Sequence, residues 1–320
     1  MRKALTVIVA VAVVGAVGAI VYTVVAGGSE DAQLAGAKDC PVFPKSSHWN
    51  RPVDELPLHS RSAQIVSSIG RDRDTHADFG SGLYEGAPIG IPFRTVSSRT
   101  KTVPVSFEYA DDSDRGPYPI PRNAPIEGGP NGDGDRHVIV VDGSRCRLYE
   151  LFDAHPGDGG KSWRAGSGAI WDLRSNRLRR RGYTSADAAG LPILPGLARP
   201  EEVGRGKIAH ALRITVPRSR SAFIYPALHF ASEDPDPNLP AMGQRLRLKR
   251  SFDTSRFPRQ SRVVLNALKR YGAIVADNGS PWYISGVPSP RWNNGDLSSL
   301  QRVPGSAWEV VDSTRLSRPR

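Results

Sequence analysis

The sequence predicts a β-rich fold, all-β or β-rich α+β. The expected form is an antiparallel β-sandwich or jelly-roll-like domain with a few short helices, preceded by one N-terminal transmembrane helix. Three observations carry this expectation. Gly (32) and Pro (27) are frequent and spread along the 320-residue chain, which favours short elements joined by tight turns. Period-2 alternation recurs in short runs, whereas helical periodicity is sustained in a single longer segment. The first two dozen residues form an uncharged leader. A hydrophobic content of 39% with 8% aromatics is enough for a sizeable core and excludes wholesale disorder.

Residues 1–3 carry two positive charges, and the 23 residues of 4–26 carry none. As a helix the uncharged run spans about 34 Å, enough for a hydrocarbon core of about 30 Å. Basic residues precede the run and none follows until Lys38, so the amino terminus is expected in the cytoplasm and the rest outside. Val24-Val25-Ala26 and Ala35-Gly36-Ala37 both read as cleavage sites, which leaves secretion after cleavage open beside an uncleaved signal anchor. Cys40 follows Lys38-Asp39, which is no lipobox. The expected layout is a cytoplasmic terminus (1–3), a span (4–26), a flexible tether (27–39), one extracytoplasmic β-rich domain (40–312) and a frayed basic tail (313–320). Cys40 and Cys146 are the two cysteines of the chain. Outside the membrane a pair favours a disulfide closing a loop of about 105 residues, with two buried free thiols as the alternative.

The elements follow in order. Residues 60–69 read as a short helix, with Ile65, Val66 and Ile69 on one side and Gly70 ending it. Residues 91–96 and 103–109 alternate as strands, and 111–134 form a long Pro/Asp/Gly loop of the kind that often carries function. Residues 136–142 and 146–152 read as a hairpin across Asp142-Gly143, and 162–173 as a strand pair. Residues 184–190 read as a capped helical turn and Pro200 opens a short helix. Residues 208–216, 222–230 and 244–249 read as strands. The stripe Val263, Val264, Leu265, Leu268 and Tyr271 makes 258–271 the one longer helix, stopped by Gly272. Residues 274–277 and 282–285 read as strands answering each other across Asn278-Gly279; 296–300 is a short helix and 308–311 a last strand.

The net charge of +11 attracts anionic partners. An exported domain meets lipid headgroups or acidic glycans rather than nucleic acid, so a polysaccharide and the membrane are the expected partners and nucleic acid is not. Arg245, Arg247 and Lys249 alternate with Leu246 and Leu248, and Arg177, Arg179, Arg180 and Arg181 form a second basic cluster; either could hold an acidic polymer, and both read most simply as solvated faces. The sequence contains no P-loop, dinucleotide fingerprint, H-E-x-x-H, C-x-x-C or G-x-S-x-G elbow. No metal and no cofactor is expected.

Candidate catalytic residues are therefore few. His137, His210 and His229 fall in predicted strands on faces shared with apolar residues. They read as hydrogen-bonded core histidines or as bases lining a cleft. Glu127, in the long loop, and Asp187, in the capped turn, are the carboxyl candidates for the paired acids that glycosidic cleavage requires. Asp135 and Asp172 flank strands. Trp282, Tyr283 and Trp292 stand beside Asn and Asp in loops, a setting that suits sugar faces or the capping of a sandwich end.

Several stretches carry a resemblance when taken as a set. They are Gly116-Pro117-Tyr118-Pro119-Ile120-Pro121 with Glu127-Gly128-Gly129, Asp135-Arg136-His137-Val138, residues 184–196 (TSADAAGLPILPG), His210-Ala211-Leu212-Arg213 and Ala276-Asp277-Asn278-Gly279. Together they resemble a group of exported bacterial proteins common in actinobacteria, over most of 41–312. The resemblance implies an extracytoplasmic location and a single-domain layout, and it carries over no catalytic residue. The functional expectation is a carbohydrate-active hydrolase or lyase. The alternative is a non-catalytic envelope or polysaccharide-binding module.

Overall fold

A computed structural model describes residues 34–316. The predicted span at 4–26, most of the tether and the last four residues of the tail lie outside the described residues. Among the described residues no helix is long and apolar enough to cross a membrane.

In chain order the strands begin with β1 (His76–Asp78), β2 (Leu83–Tyr84), β3 (Ala87–Pro88), β4 (Phe93–Val96) and β5 (Val105–Phe107). Next come β6 (Val138–Asp142), β7 (Arg147–Phe152), β8 (His155–Gly157), β9 (Ser162–Ala165) and β10 (Ser167–Asp172). The last are β11 (Leu212–Val216), β12 (Arg245–Leu248), β13 (Ala273–Asn278), β14 (Tyr283–Ser285) and β15 (Trp308–Val310). The α-helices are short: α1 (Ser62–Gly70), α2 (Pro200–Gly204), α3 (Arg259–Arg270) and α4 (Asn294–Ser298). The protein is β-rich with a few short helices.

A six-stranded sheet runs β1-β14-β11-β13-β12-β15, and a four-stranded sheet runs β10-β7-β6-β4. Smaller sheets are β2-β3 and β5-β9-β8. The sheets are mixed rather than purely antiparallel: β1–β14, β11–β13, β4–β6 and β5–β9 are parallel pairs. Parallel pairing needs a long crossover, and the chain between β11 and β13, which contains β12 and α3, supplies one. Two expected hairpins do not form. β11 inserts between β13 and β14, and β9 and β10 separate into different sheets. A single residue, Gly166, joins the latter two, which is too short for a two-residue hairpin loop.

β6 explains its own sequence. Ile139 and Val141 face the large core, while Val138 and Val140 face a smaller one. With both faces covered, polar alternation is lost and the strand reads as an apolar run. β12 is likewise interior, between β13 and β15, so its arginines are not a solvated basic face. Arg245 is 1% exposed and donates to the Tyr271 carbonyl (2.6 Å), and Arg247 pairs with Glu309 (2.8 Å).

The predicted long helix is α3. It buries Val263, Val264, Leu265, Ala267 and Leu268 and places Lys269 and Arg270 at its carbonyl end, where the helix dipole favours cations. At Gly272 the backbone turns left-handed (φ 68°), and a Cβ there would collide with the Leu246 carbonyl. Cys40 and Cys146 form a buried disulfide with a Cα–Cα distance of 5.3 Å.

Other expectations change. Residues 34–39, assigned to the flexible tether, are docked: Leu34 is 1% exposed, and Thr95 Oγ1 donates to the Ala35 carbonyl (2.6 Å). The tail does not fray at once, since Ser313–Leu316 is a 3-10 turn whose Leu316 packs with Val53 and Val311. Residues 222–230 are irregular, and 208–211 approach β11 without strand structure.

Candidate functional site

A cavity of about 360 Å³ opens where chain segments far apart in sequence meet. Asp277 comes from β13 in the six-stranded sheet, and Asp135 immediately precedes Arg136, His137 and β6. Phe152 ends β7 and Ser167 starts β10. Thr184 to Ala188, His229, Ala231, Tyr109 and Asp112 complete the wall. Four carboxylates therefore face one space: Asp112, Asp135, Asp187 and Asp277.

Beneath them lies Arg213 of β11, 3% exposed. Its guanidinium donates to both oxygens of Asp187 (3.1 and 2.9 Å), to Asp277 Oδ2 (2.9 Å) and to Ser285 Oγ (2.9 Å). Four directed bonds from one planar fork fix two carboxylates relative to each other. The segment holding Asp187 is a polar turn rather than the expected helical turn. Ser185 Oγ accepts the Asp187 N–H (2.9 Å) and donates to the Leu191 carbonyl (2.6 Å). Gly190 closes it at φ 69°, where a Cβ would stand 2.6 Å from the Tyr183 carbonyl. Farther along, the N–H groups of Ile193 and Leu194 donate to Glu150 of β7 (3.0 and 2.9 Å). These bonds tie the 184–194 loop to the four-stranded sheet.

The electrostatics are strained by burial and relieved by pairing. Asp277 is raised to about 6, chiefly by burial, which the Arg213 cation it shares with Asp187 opposes and the neighbouring Asp187 and Asp135 reinforce. Glu150, wholly buried, is raised to about 7 by burial, against the pull of the Leu194 and Ile193 N–H groups. Burial works against charge on His137, yet the Glu127 carboxylate beside its Nδ1 lifts it to about 9. Burial also works against charge on Glu127, but His137 holds its carboxyl below the usual range.

The sequence candidates divide accordingly. Asp187 and His229 line the cavity. His229 Nδ1 donates to the Ala188 carbonyl (2.9 Å), which leaves Nε2 as the basic nitrogen. His137 and Glu127 form a pair behind the wall, with His137 Nε2 on the Ala186 carbonyl (2.9 Å). His210 belongs to a separate buried cluster and does not line the cavity. Its Nε2 lies 2.9 Å from Arg199 Nη2 and 3.1 Å from Glu202 Oε2, which fastens α2 to the approach of β11. None of the three histidines is in a strand: His137 immediately precedes β6, and His210 and His229 lie in irregular segments, so the strand-face argument holds for none of them.

Two aromatic candidates are corrected. Trp282 (0% exposed) donates to the Gly70 carbonyl (2.7 Å) and stacks on Trp308, and Trp292 (4%) donates to the Val287 carbonyl (2.7 Å) beside Phe79. Both are part of the large core and offer no face to a sugar, because a large apolar ring is more stable buried with its N–H paired than left in water. Tyr283 is half-buried and stacks on His76.

Asp277 and Arg213 were not singled out as site residues from sequence. Their signal is a charge inside an apolar strand, in Ile274-Val275-Ala276-Asp277 and Leu212-Arg213-Ile214, where an ion is costly unless paired. Among the described residues no group of three or more His, Cys, Asp or Glu side chains is arranged to hold a metal ion. No protein-family model, curated protein or solved structure matches the chain.

Proposed function

We propose that this chain is an exported or membrane-anchored carbohydrate-active enzyme whose acidic cavity hydrolyses a glycosidic bond. The observation that carries the reading is Asp277, a carboxyl lifted to about 6 that shares a cavity with Asp135 and Asp187. Glycosidic hydrolysis needs one carboxyl still protonated near neutral pH, to protonate the leaving oxygen, and a second group to act as base or nucleophile. Asp277 suits the first role and the exposed Asp135 the second. Asp187 and Arg213 position Asp277, and the Glu127–His137 pair braces the wall behind.

The excess of carboxylates selects substrates. A uronate entering this cavity meets like charge, so hydrolysis of a neutral or amino-bearing glycan is favoured over lyase action on an acidic one. Extracytoplasmic placement is supported by the uncharged leader and by the cystine, which persists in oxidising compartments. In this reading the six- and four-stranded sheets act as the two layers of a β-sandwich-like scaffold. Support for that comes from the large core, to which Ile139 and Leu148 contribute from one sheet and Leu212 and Ile274 from the other.

The test is release of reducing ends from a panel of neutral and amino polysaccharides. Asp277→Asn and Asp135→Asn should each lower kcat by about 100-fold or more, and Asp135→Asn, at an exposed side chain, should leave the thermal midpoint close to wild type. The rate should fall as pH rises through about 6, where Asp277 loses its proton. A silent panel, or full turnover in both variants, overturns the proposal. A second reading, a non-catalytic module holding an acidic polysaccharide, is favoured by one observation: Arg177, Arg179 and Arg180 line a separate surface cavity with Trp171 and Tyr183. It predicts binding of an acidic glycan without turnover, unaffected by Asp277→Asn.

A further inference from the structure

On the other side of the irregular 222–231 segment lies a cavity of opposite chemistry. His229 and Ala231 face the acidic site, whereas Ile224 and Tyr225 face a space of about 460 Å³ bounded by His59, Arg181, Arg220, Gln244 and residues 312–314.

Its wall is rich in hydrogen-bond donors. Gln244 is 1% exposed, and its Nε2 is buried with no hydrogen-bond partner. The same is true of Arg220 Nε. His59 Nδ1 accepts the Arg61 N–H (3.1 Å), so a neutral ring carries its hydrogen on Nε2. The exposed Arg181 guanidinium is steadied over the Phe223 ring, 4.5 Å from its centroid. Asp312 is the carboxylate of this wall, and its Oδ1 already accepts the Thr314 N–H (3.0 Å) and hydroxyl (2.7 Å). The buried Arg245 cation, which interacts electrostatically with Tyr225, is bonded to the Tyr271 and His48 carbonyls.

A buried donor without a partner is destabilising, and two such donors on residues that line one cavity mark where an acceptor fits. We propose that this cavity binds a small oxyanion, a phosphate or carboxylate group, with Arg220 Nε and Gln244 Nε2 as direct donors and Arg181 as the outer charge. A guanidinium edge beside an amide N–H matches the paired oxygens of either group. The proposal is independent of the reading of the acidic cavity.

Isothermal titration of the full chain with inorganic phosphate, and separately with sodium glucuronate, tests it against sodium chloride at matched ionic strength. Saturable binding of at least one anion is expected. Phosphate alone identifies a phosphate source, while glucuronate, with or without phosphate, identifies a carboxylate. Arg220→Gln should weaken the anion by about tenfold, the effect of losing one charge-assisted bond. Gln244→Leu should do the same. Should either variant fail to fold, Arg181→Glu, at an exposed side chain, carries the same expectation. Binding of neither anion, or equal affinity in wild type and every folded variant, overturns the assignment. So does a thermal shift in phosphate that the variants share in full, since that is general salt exclusion.

Discussion

Arg213 joins two carboxylates that would otherwise repel each other, Asp187 fully buried and Asp277 partly exposed to the cavity. Removing one partner of such a buried set leaves charge uncompensated, which costs about 3–5 kcal/mol. Asp187→Ala should therefore lower unfolding free energy by that order in urea titration, and Arg213→Met should be similarly harmful because it leaves Asp187 and Asp277 facing each other. The Glu127–His137 pair makes a pH-dependent contribution of definite sign. His137 rises from 6.5 unfolded to about 9 folded, so its stabilisation is complete below about 6.5 and is lost as pH rises through about 9. The stability gap between wild type and Glu127→Gln, up to about 3 kcal/mol, should close between those limits in urea titrations across pH. A constant gap would show that the pair does not titrate there. At this scale the sequence was partly readable. Asp187 and His229 stand in the cavity, Glu127 and His137 stand behind it, and His210 braces another corner. Residue type names what a side chain can do, and only its neighbours decide whether it does.

Elements were read better than pairings. α3 was legible because its stripe repeats over three turns and its stop is a glycine that must turn left-handed. Leu265→Ala within it should cost about 2–5 kcal/mol in chemical denaturation, since Leu265 is 0% exposed and its site is ringed by the large core. The short strands were also largely legible, as β6, β7 and β13 show. What escaped was which strand lies beside which. β13 and β14 share a turn signal yet are parted by β11, and β9 leaves β10 for another sheet. A turn residue encodes a local reversal of the chain. It does not encode which edge the returning strand will find. The 222–230 segment erred the other way: its apolar residues satisfied the strand pattern, but they pack from irregular backbone.

Across the whole molecule the cystine links the start of the described chain to the turn between β6 and β7, 106 residues later. Replacing both cysteines by Ala should cost about 2–5 kcal/mol, seen as a lower midpoint in urea without loss of the β-rich circular dichroism signature. A variant as stable as wild type would mean that the docked 34–39 segment holds itself. The sequence alone determined the β-rich character and the one long helix and favoured the pairing of the two cysteines, because periodicity, turn chemistry and an even thiol count are properties of neighbours or of composition. Only the tertiary structure decided that Asp135, Asp187, Arg213 and Asp277 share one place and that Trp282 and Trp292 do not. Their convergence depends on sheet order and on segments crossing between sheets. Burial is what raises the Asp277 carboxyl, and burial is a property of the packed whole.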